Sequence, residues 1–151
     1  MKYYTKTQKD ISKWLGMSLE HSYNLEKIYL TKITNNFECI CKKKKQHFPN
    51  IYNFNDKNKS FLLRHCGYSI ENISNNRKMF KNYKPINPRE QIKCIIYNLK
   101  KSNIKHLDMN LSGRNLCLNK NGELSLIDFN TAVYKNLCFS KQMIKHLIKY
   151  G

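Results

Sequence analysis

Four aspartates occur in the chain, Asp10, Asp56, Asp108 and Asp128, and the last two frame one stretch. It opens with His106-Leu107-Asp108-Met109-Asn110-Leu111-Ser112-Gly113-Arg114-Asn115 and ends with Asp128-Phe129-Asn130. A carboxylate near a reacting hydroxyl can orient it or take its proton. Asp128 ends the run Leu124–Ile127, which reads as a buried strand, and an unpaired carboxylate there would be costly. A bound cation would explain its placement. Oxygen ligands from Asp and Asn suit a hard cation such as magnesium. Each fragment alone is commonplace, since an isolated His-x-Asp is usually a surface polar pair. The set gains weight only from the elements that hold it.

Those elements are legible in part. Pro88–Lys101 reads as a helix: Asn87 can cap it, Pro88 suits its first position and Glu90 completes a capping box. Ile92, Ile95, Ile96 and Leu99 share one face, and Lys100 and Lys101 close the last turn. After the loop 102–114, Leu116–Leu118 and Leu124–Ile127 flank Asn119-Lys120-Asn121-Gly122, and Asn-Gly is a strong hairpin signal. Upstream, Ile51–Phe54 and Phe61–Arg64 read as two strands joined by a polar turn, and Cys66-Gly67 breaks the pattern.

The first third is harder to read. Lys9–Leu19 carries Ile11, Trp14 and Leu15 on one helical face. Leu25–Ile33 alternates partly and is read as a strand. Asn35–Gln46 is read as a short helix ending in the lysine run Lys42–Lys45. The tail Lys141–Tyr150 places Met143, Ile144, Leu147 and Ile148 on one face of a last helix. The resulting order of elements is α+β, in one domain spanning 1–151.

Composition bounds the alternatives. The chain has 28 Lys+Arg against 10 Asp+Glu, a net charge of +18, which attracts polyanions. Only Arg64, Arg77, Arg89 and Arg114 are arginines, and the abundance of Lys, Asn, Ile and Tyr matches AT-rich codons. The expectation is weak, non-specific nucleic-acid binding. Six cysteines follow an N-terminus with no apolar core, which points to a reducing, intracellular setting. Cys39-x-Cys41 followed by His47 is a poor zinc pattern, because no second ligand pair follows at finger spacing. No apolar run approaches membrane-spanning length.

The stretch from His106 to Phe129 resembles the catalytic loop and metal-binding segment of protein kinases, H-R-D-L-x-x-x-N and D-F-G. His106 and Asp108 match the first and third positions, Asn115 the asparagine, and Asp128-Phe129 the start of the second motif. Phe48-Pro49-Asn50-Ile51 resembles the H-P-N-I turn after the family's regulatory helix, and Cys66-Gly67 its hinge. The resemblance covers 38–133. It implies a compact kinase-like fold with a reduced N-lobe over about 1–66 and a minimal C-lobe over 67–151. It implies an ATP- and Mg²⁺-dependent phosphotransferase of Ser/Thr protein kinase type.

By the same resemblance Asp108 would orient or deprotonate the acceptor hydroxyl. Asn115 and Asp128 would hold magnesium against the phosphates. Glu38 is the candidate acid of the Lys–Glu pair, with Lys32 or Lys27 as its lysine. Arg114 would supply the charge that a lysine near Asp108 often brings. The chain also departs from the pattern. Asn115 lies seven residues after Asp108 instead of five, Leu107 replaces Arg, and Asn130 replaces Gly. There is no glycine-rich loop and no A-P-E, and only 21 residues follow Asn130. A protein substrate is expected, with a small-molecule acceptor as the variant. The rival readings are a pseudokinase or binding module, and a basic nucleic-acid-binding protein.

Overall fold

The computed structural model describes residues 2–8, 18–41, 46–106, 113–129 and, for the backbone, 133–134. Asp108, Asn130, the 9–17 stretch and the tail lie outside these residues.

The chain is α+β, as its sequence implies. Its elements in order are β1 Tyr3–Thr7, α1 Leu19–Asn35, β2 Ile51–Asn55, β3 Ser60–Arg64, β4 Tyr68–Ser69, α2 Ile70–Ser74, α3 Arg77–Asn82, α4 Pro88–Lys101, β5 Ile104–Lys105, β6 Leu116–Leu118, β7 Leu124–Leu126 and β8 Val133–Tyr134.

Among the described residues the strands form three antiparallel groups. One sheet has the order β1-β3-β2, a second β4-β6-β7, and β5 pairs with β8. Tyr3-Tyr4-Thr5-Lys6-Thr7 is rich in residues that favour strands. Its period of two turns Tyr4 and Lys6 inward while Tyr3, Thr5 and Thr7 face solvent.

Residues 25–33, read from sequence as a strand, are helical and belong to α1. Ser18 caps α1 by accepting a hydrogen bond from the His21 N–H at 3.1 Å. The inward face carries Ser22, Tyr23, Glu26, Tyr29, Leu30 and Ile33, a helical spacing. The short helix expected over 35–46 does not form between 36 and 41, because the helix ends at Asn35. The four lysines that follow lie outside the described residues.

Helix α4 matches its expected bounds and buries Ile92, Ile95, Ile96 and Leu99. Burial of each such side chain contributes about 1.5–3 kcal/mol. Its cap differs from expectation. Asn87 sits in the left-handed region (φ 47°) and makes no side-chain capping bond. Gln91 instead ties α4 to the β6–β7 hairpin. Its Nε2 donates to the Gly122 carbonyl at 2.8 Å and its Oε1 accepts from the Leu124 N–H at 2.8 Å. The hairpin therefore rests on the helix, and its far end, Ile127-Asp128, is carried to a defined place.

Candidate functional site

Asp128 follows β7 with φ 68°, a left-handed conformation that non-glycine residues seldom adopt. Such a backbone persists only where its surroundings impose it. Three contacts of its neighbours do so. The Ile127 N–H donates to the Asn115 carbonyl at 2.9 Å, linking the ends of β6 and β7. His106 lies 2.7 Å from the Ile127 carbonyl through Nε2, which must carry the proton because a carbonyl only accepts. Phe129 is fully buried, edge-to-face against His106 at 4.9 Å and against Phe48 at 5.9 Å.

The Asp128 carboxylate meets a lysine that sequence reasoning passed over. Lys6 Nζ, from β1, lies 2.9 Å from Asp128 Oδ1 and 2.8 Å from both oxygens of Glu26. Glu26 comes from the inward face of α1 and is only 1% exposed. Its remaining capacity is used as well. Gln8 donates to Oε2, and the Phe129 N–H approaches Oε1 at 3.4 Å. Burial alone would lower the Lys6 pKa, but attraction first to Glu26 and then to Asp128 outweighs it. The ammonium is held above the ordinary lysine range and stays charged. The Lys6 side chain remains 22% exposed and that of Asp128 28%, so this end of the network opens to solvent.

The lysine and acid expected from sequence are elsewhere. Glu38 lies in the loop after α1 and is exposed. Its carboxylate takes Lys101 Nζ at 2.8 Å and the Tyr97 hydroxyl at 3.0 Å, which hold it below the usual carboxylate range. Lys32 lies in the last turn of α1. Lys27 pairs with Asp56 at 3.3 Å and stands 3.7 Å over the Phe54 ring. The lysine and glutamate that meet Asp128 in the structure are Lys6 and Glu26. Two sequence features could have marked them: an acid, Glu26, on the inward face of α1, and a lysine in the aromatic, β-branched run of β1.

A cavity of about 370 Å³ lies between the two three-stranded sheets. Tyr4 lines it from β1, Cys66 and Gly67 from the break after β3, Cys117 from β6, and Arg114 and Ile127 from the loop and strand end. The volume is within the range of small-ligand sites. Tyr4 is two residues from Lys6 on the same strand face, and Ile127 adjoins Asp128. The chain neighbours of Lys6 and Asp128 thus line the cavity, while Lys6, Glu26 and Asp128 themselves are not among its lining residues.

Gly67 makes this wall. Its φ is +101°, and a Cβ there would come 2.2 Å from the Leu118 carbonyl oxygen. The close approach is to backbone, which cannot rotate away. Gly67→Ala should therefore cost at least about 2 kcal/mol in chemical denaturation, from strain plus overpacking. An unchanged midpoint would show that the β3–β4 break moves freely past β6.

Of the expected site residues, the structure brings His106, Asn115 and Asp128 to the ends of β5, β6 and β7, and puts Arg114 on the cavity wall. Asp108 lies outside the described residues. Among the described residues no helix is long and apolar enough to cross a membrane. No family model and no curated protein matches the chain.

Proposed function

We propose that the chain is a compact kinase-like phosphotransferase that uses ATP and Mg²⁺, with Ser/Thr protein kinase-type chemistry. The observation that carries this reading is the Lys6–Glu26–Asp128 network beside the cavity. Kinases of this type need a strand lysine paired with a helix glutamate, and a metal-binding aspartate in place beside them. Here β1 supplies the lysine, α1 the glutamate and the end of β7 the aspartate. The motif-derived aspartate thus meets a Lys–Glu pair to which no motif pointed.

The residues divide the work as follows. Lys6, held by Glu26, would contact the nucleotide phosphates. Asp128 would hold magnesium, and its Oδ2 has no hydrogen-bond partner among the described residues. Asn115 would be the second oxygen ligand. Magnesium, when bound, supplies neutralisation of phosphate charge. Tyr4, Cys66, Gly67 and Cys117 would enclose the base, while Arg114 offers a cation at the cavity wall. His106 positions the Asp128 segment through Ile127 and Phe129. Asp108 would orient the acceptor hydroxyl or take its proton. A protein hydroxyl is the proposed acceptor.

The test is transfer of labelled γ-phosphate to the chain itself or to a generic protein. Asp108→Asn keeps the shape and removes the charge. It should bind ATP-Mg about as well as wild type yet lose most transfer. Equal transfer by the two proteins would remove Asp108 from the mechanism. Wild type that binds ATP-Mg but transfers no phosphate would favour the pseudokinase reading.

A further inference from the structure

A second cluster lies beyond the C-terminal end of α1, where the following loop meets α4. Cys39 and Cys41 sit in the loop after α1, and Cys94 sits on the buried face of α4. Their three sulfurs all lie within 4.8 Å of one another. Cys39 Sγ and Cys41 Sγ are 3.5 Å apart, and His47 Nε2 is 3.1 Å from Cys41 Sγ. Buried cysteines often serve only as small apolar filler. Three features of this group are not those of filler.

First, the spacing suits a tetrahedral metal. Zinc–sulfur bonds of about 2.3 Å and zinc–nitrogen bonds of about 2.0 Å place neighbouring ligand atoms about 3.5–3.8 Å apart. The observed 3.5 and 3.1 Å need adjustments of only a few tenths of an ångström at those two contacts. The three sulfurs form the converging group, whereas His47 Nε2 is at ligand spacing from the Cys41 sulfur alone and must move toward the other two to close the site. Second, the histidine tautomer is set for ligation. His47 Nδ1 lies 2.7 Å from the Leu124 carbonyl and must donate to it, which leaves Nε2 without a proton and directed at Cys41. A backbone carbonyl on the far ring nitrogen is the usual partner of a metal-bound histidine. Third, a backbone donor serves one sulfur: the Ile40 N–H points at Cys94 Sγ from 3.3 Å, a bond that a metal-bound sulfur would keep, although burial pushes the thiol up when no metal is bound.

We propose that Cys39, Cys41 and Cys94 form a structural zinc site, with His47 drawn in through its contact with Cys41 as the fourth ligand, that pins the loop after α1 to the flank of α4. Thiolate with imidazole favours zinc over the hard cations. Four protein ligands close the site, which is the structural rather than the catalytic form. Three thiolates around one dication leave a single negative charge, and four lysines follow Cys41 directly in the sequence. Finger spacing fails to reveal the site because the third sulfur comes from a different element, more than one strand pair later in the chain. The same joint is reinforced by Asn98. Its Oδ1 accepts from the Glu38 N–H at 2.9 Å, and its Nδ2 donates to the Glu38 carbonyl at 3.0 Å. The site is independent of the phosphotransferase reading.

The full-length chain tests this directly. Elemental analysis of purified protein should find one zinc per chain. Co²⁺ added to the metal-stripped chain should give sulfur-to-cobalt charge-transfer absorption and the intense visible bands of a tetrahedral ion, and added Zn²⁺ should bleach both. Cys39→Ser, at a half-buried position, should fold and weaken Co²⁺ binding beyond the roughly 10–100-fold that loss of an outer-shell partner costs. Cys94→Ser should do the same. His47→Gln should keep the charge-transfer band and reduce the visible bands. Wild type that neither carries zinc nor develops the sulfur-to-cobalt band would overturn the proposal. Serine variants that bind Co²⁺ like wild type would do so too. A His47→Gln spectrum identical to wild type would remove His47 as fourth ligand and overturn the four-ligand site.

Discussion

Asp128→Asn is expected to abolish Mg²⁺-dependent stabilisation by ATP while leaving the unliganded fold nearly as stable as wild type. Asparagine tolerates the left-handed backbone at φ 68°, so the substitution adds little strain. The lost carboxylate is partly exposed, and Lys6 keeps both oxygens of Glu26. The fold therefore loses only the outer arm of the network. The proposed magnesium site loses its charged ligand. At a hundredfold excess of ligand over Kd, binding raises stability by about 2.7 kcal/mol. In a chain of this size that is a Tm shift of about 5–10 °C. Thermal unfolding with ATP, with and without Mg²⁺, reads it directly. Wild type should shift with both present and the variant should not. Equal shifts in the two proteins would mean that Asp128 does not hold the metal.

Lys6→Met should act on both the fold and the site. Glu26 is 1% exposed, and removing its cation leaves a buried carboxylate with only neutral donors, Gln8 and the Phe129 N–H. Breaking a buried pair from one side costs about 3–5 kcal/mol. Lys6 is partly exposed, so water can relieve some of that, and about 3 kcal/mol is the expected loss in chemical denaturation. The double variant Lys6→Met/Glu26→Leu removes both charges and should recover much of the loss. Nucleotide-dependent stabilisation should be absent in both. The comparison separates the structural role of the pair from its ligand role. A single variant as stable as wild type would show that Glu26 does not depend on Lys6. A double variant that still binds ATP-Mg like wild type would remove Lys6 from the nucleotide site.

The two substitutions differ in cost because the site is asymmetric in burial. Glu26 is sealed between β1, α1 and Phe129, whereas Asp128 is partly exposed and follows Ile127, which lines the cavity. A sealed anion must be neutralised at all times, and Lys6 does this. An edge anion can exchange its share of Lys6 for a metal.

Several elements needed no tertiary information, because their signals are local. Pro88 at the first helical position and the spacing of Ile92, Ile95, Ile96 and Leu99 define α4 to the residue. Asn121-Gly122 defines the β6–β7 turn, with Gly122 at φ 79°. The polar turn after Asn55 separates β2 from β3. Here the side-chain period and the turn chemistry agree, so one window of sequence suffices. Helix α1 was obscured for the opposite reason. Its inward face carries Ser22 and Glu26 among Tyr23, Leu30 and Ile33, so apolarity alone does not trace the stripe. The polar members are inward because their partners lie on other elements.

By itself the sequence determined the α+β class and the α4–hairpin frame, while the kinase resemblance alone singled out His106, Asn115 and Asp128. The class and the frame follow from spacing within a few dozen residues. The tertiary structure alone decided which lysine and which acid meet Asp128. Lys6 and Glu26 are 20 residues apart, and Lys6 and Asp128 are 122 apart. It also decided that Cys94 joins Cys39 and Cys41, turning an incomplete ligand pattern into a converging one. Both outcomes depend on strand pairing and helix packing between distant segments. Charge pairing and metal ligation require proximity in space, and one chain's residue order does not encode it.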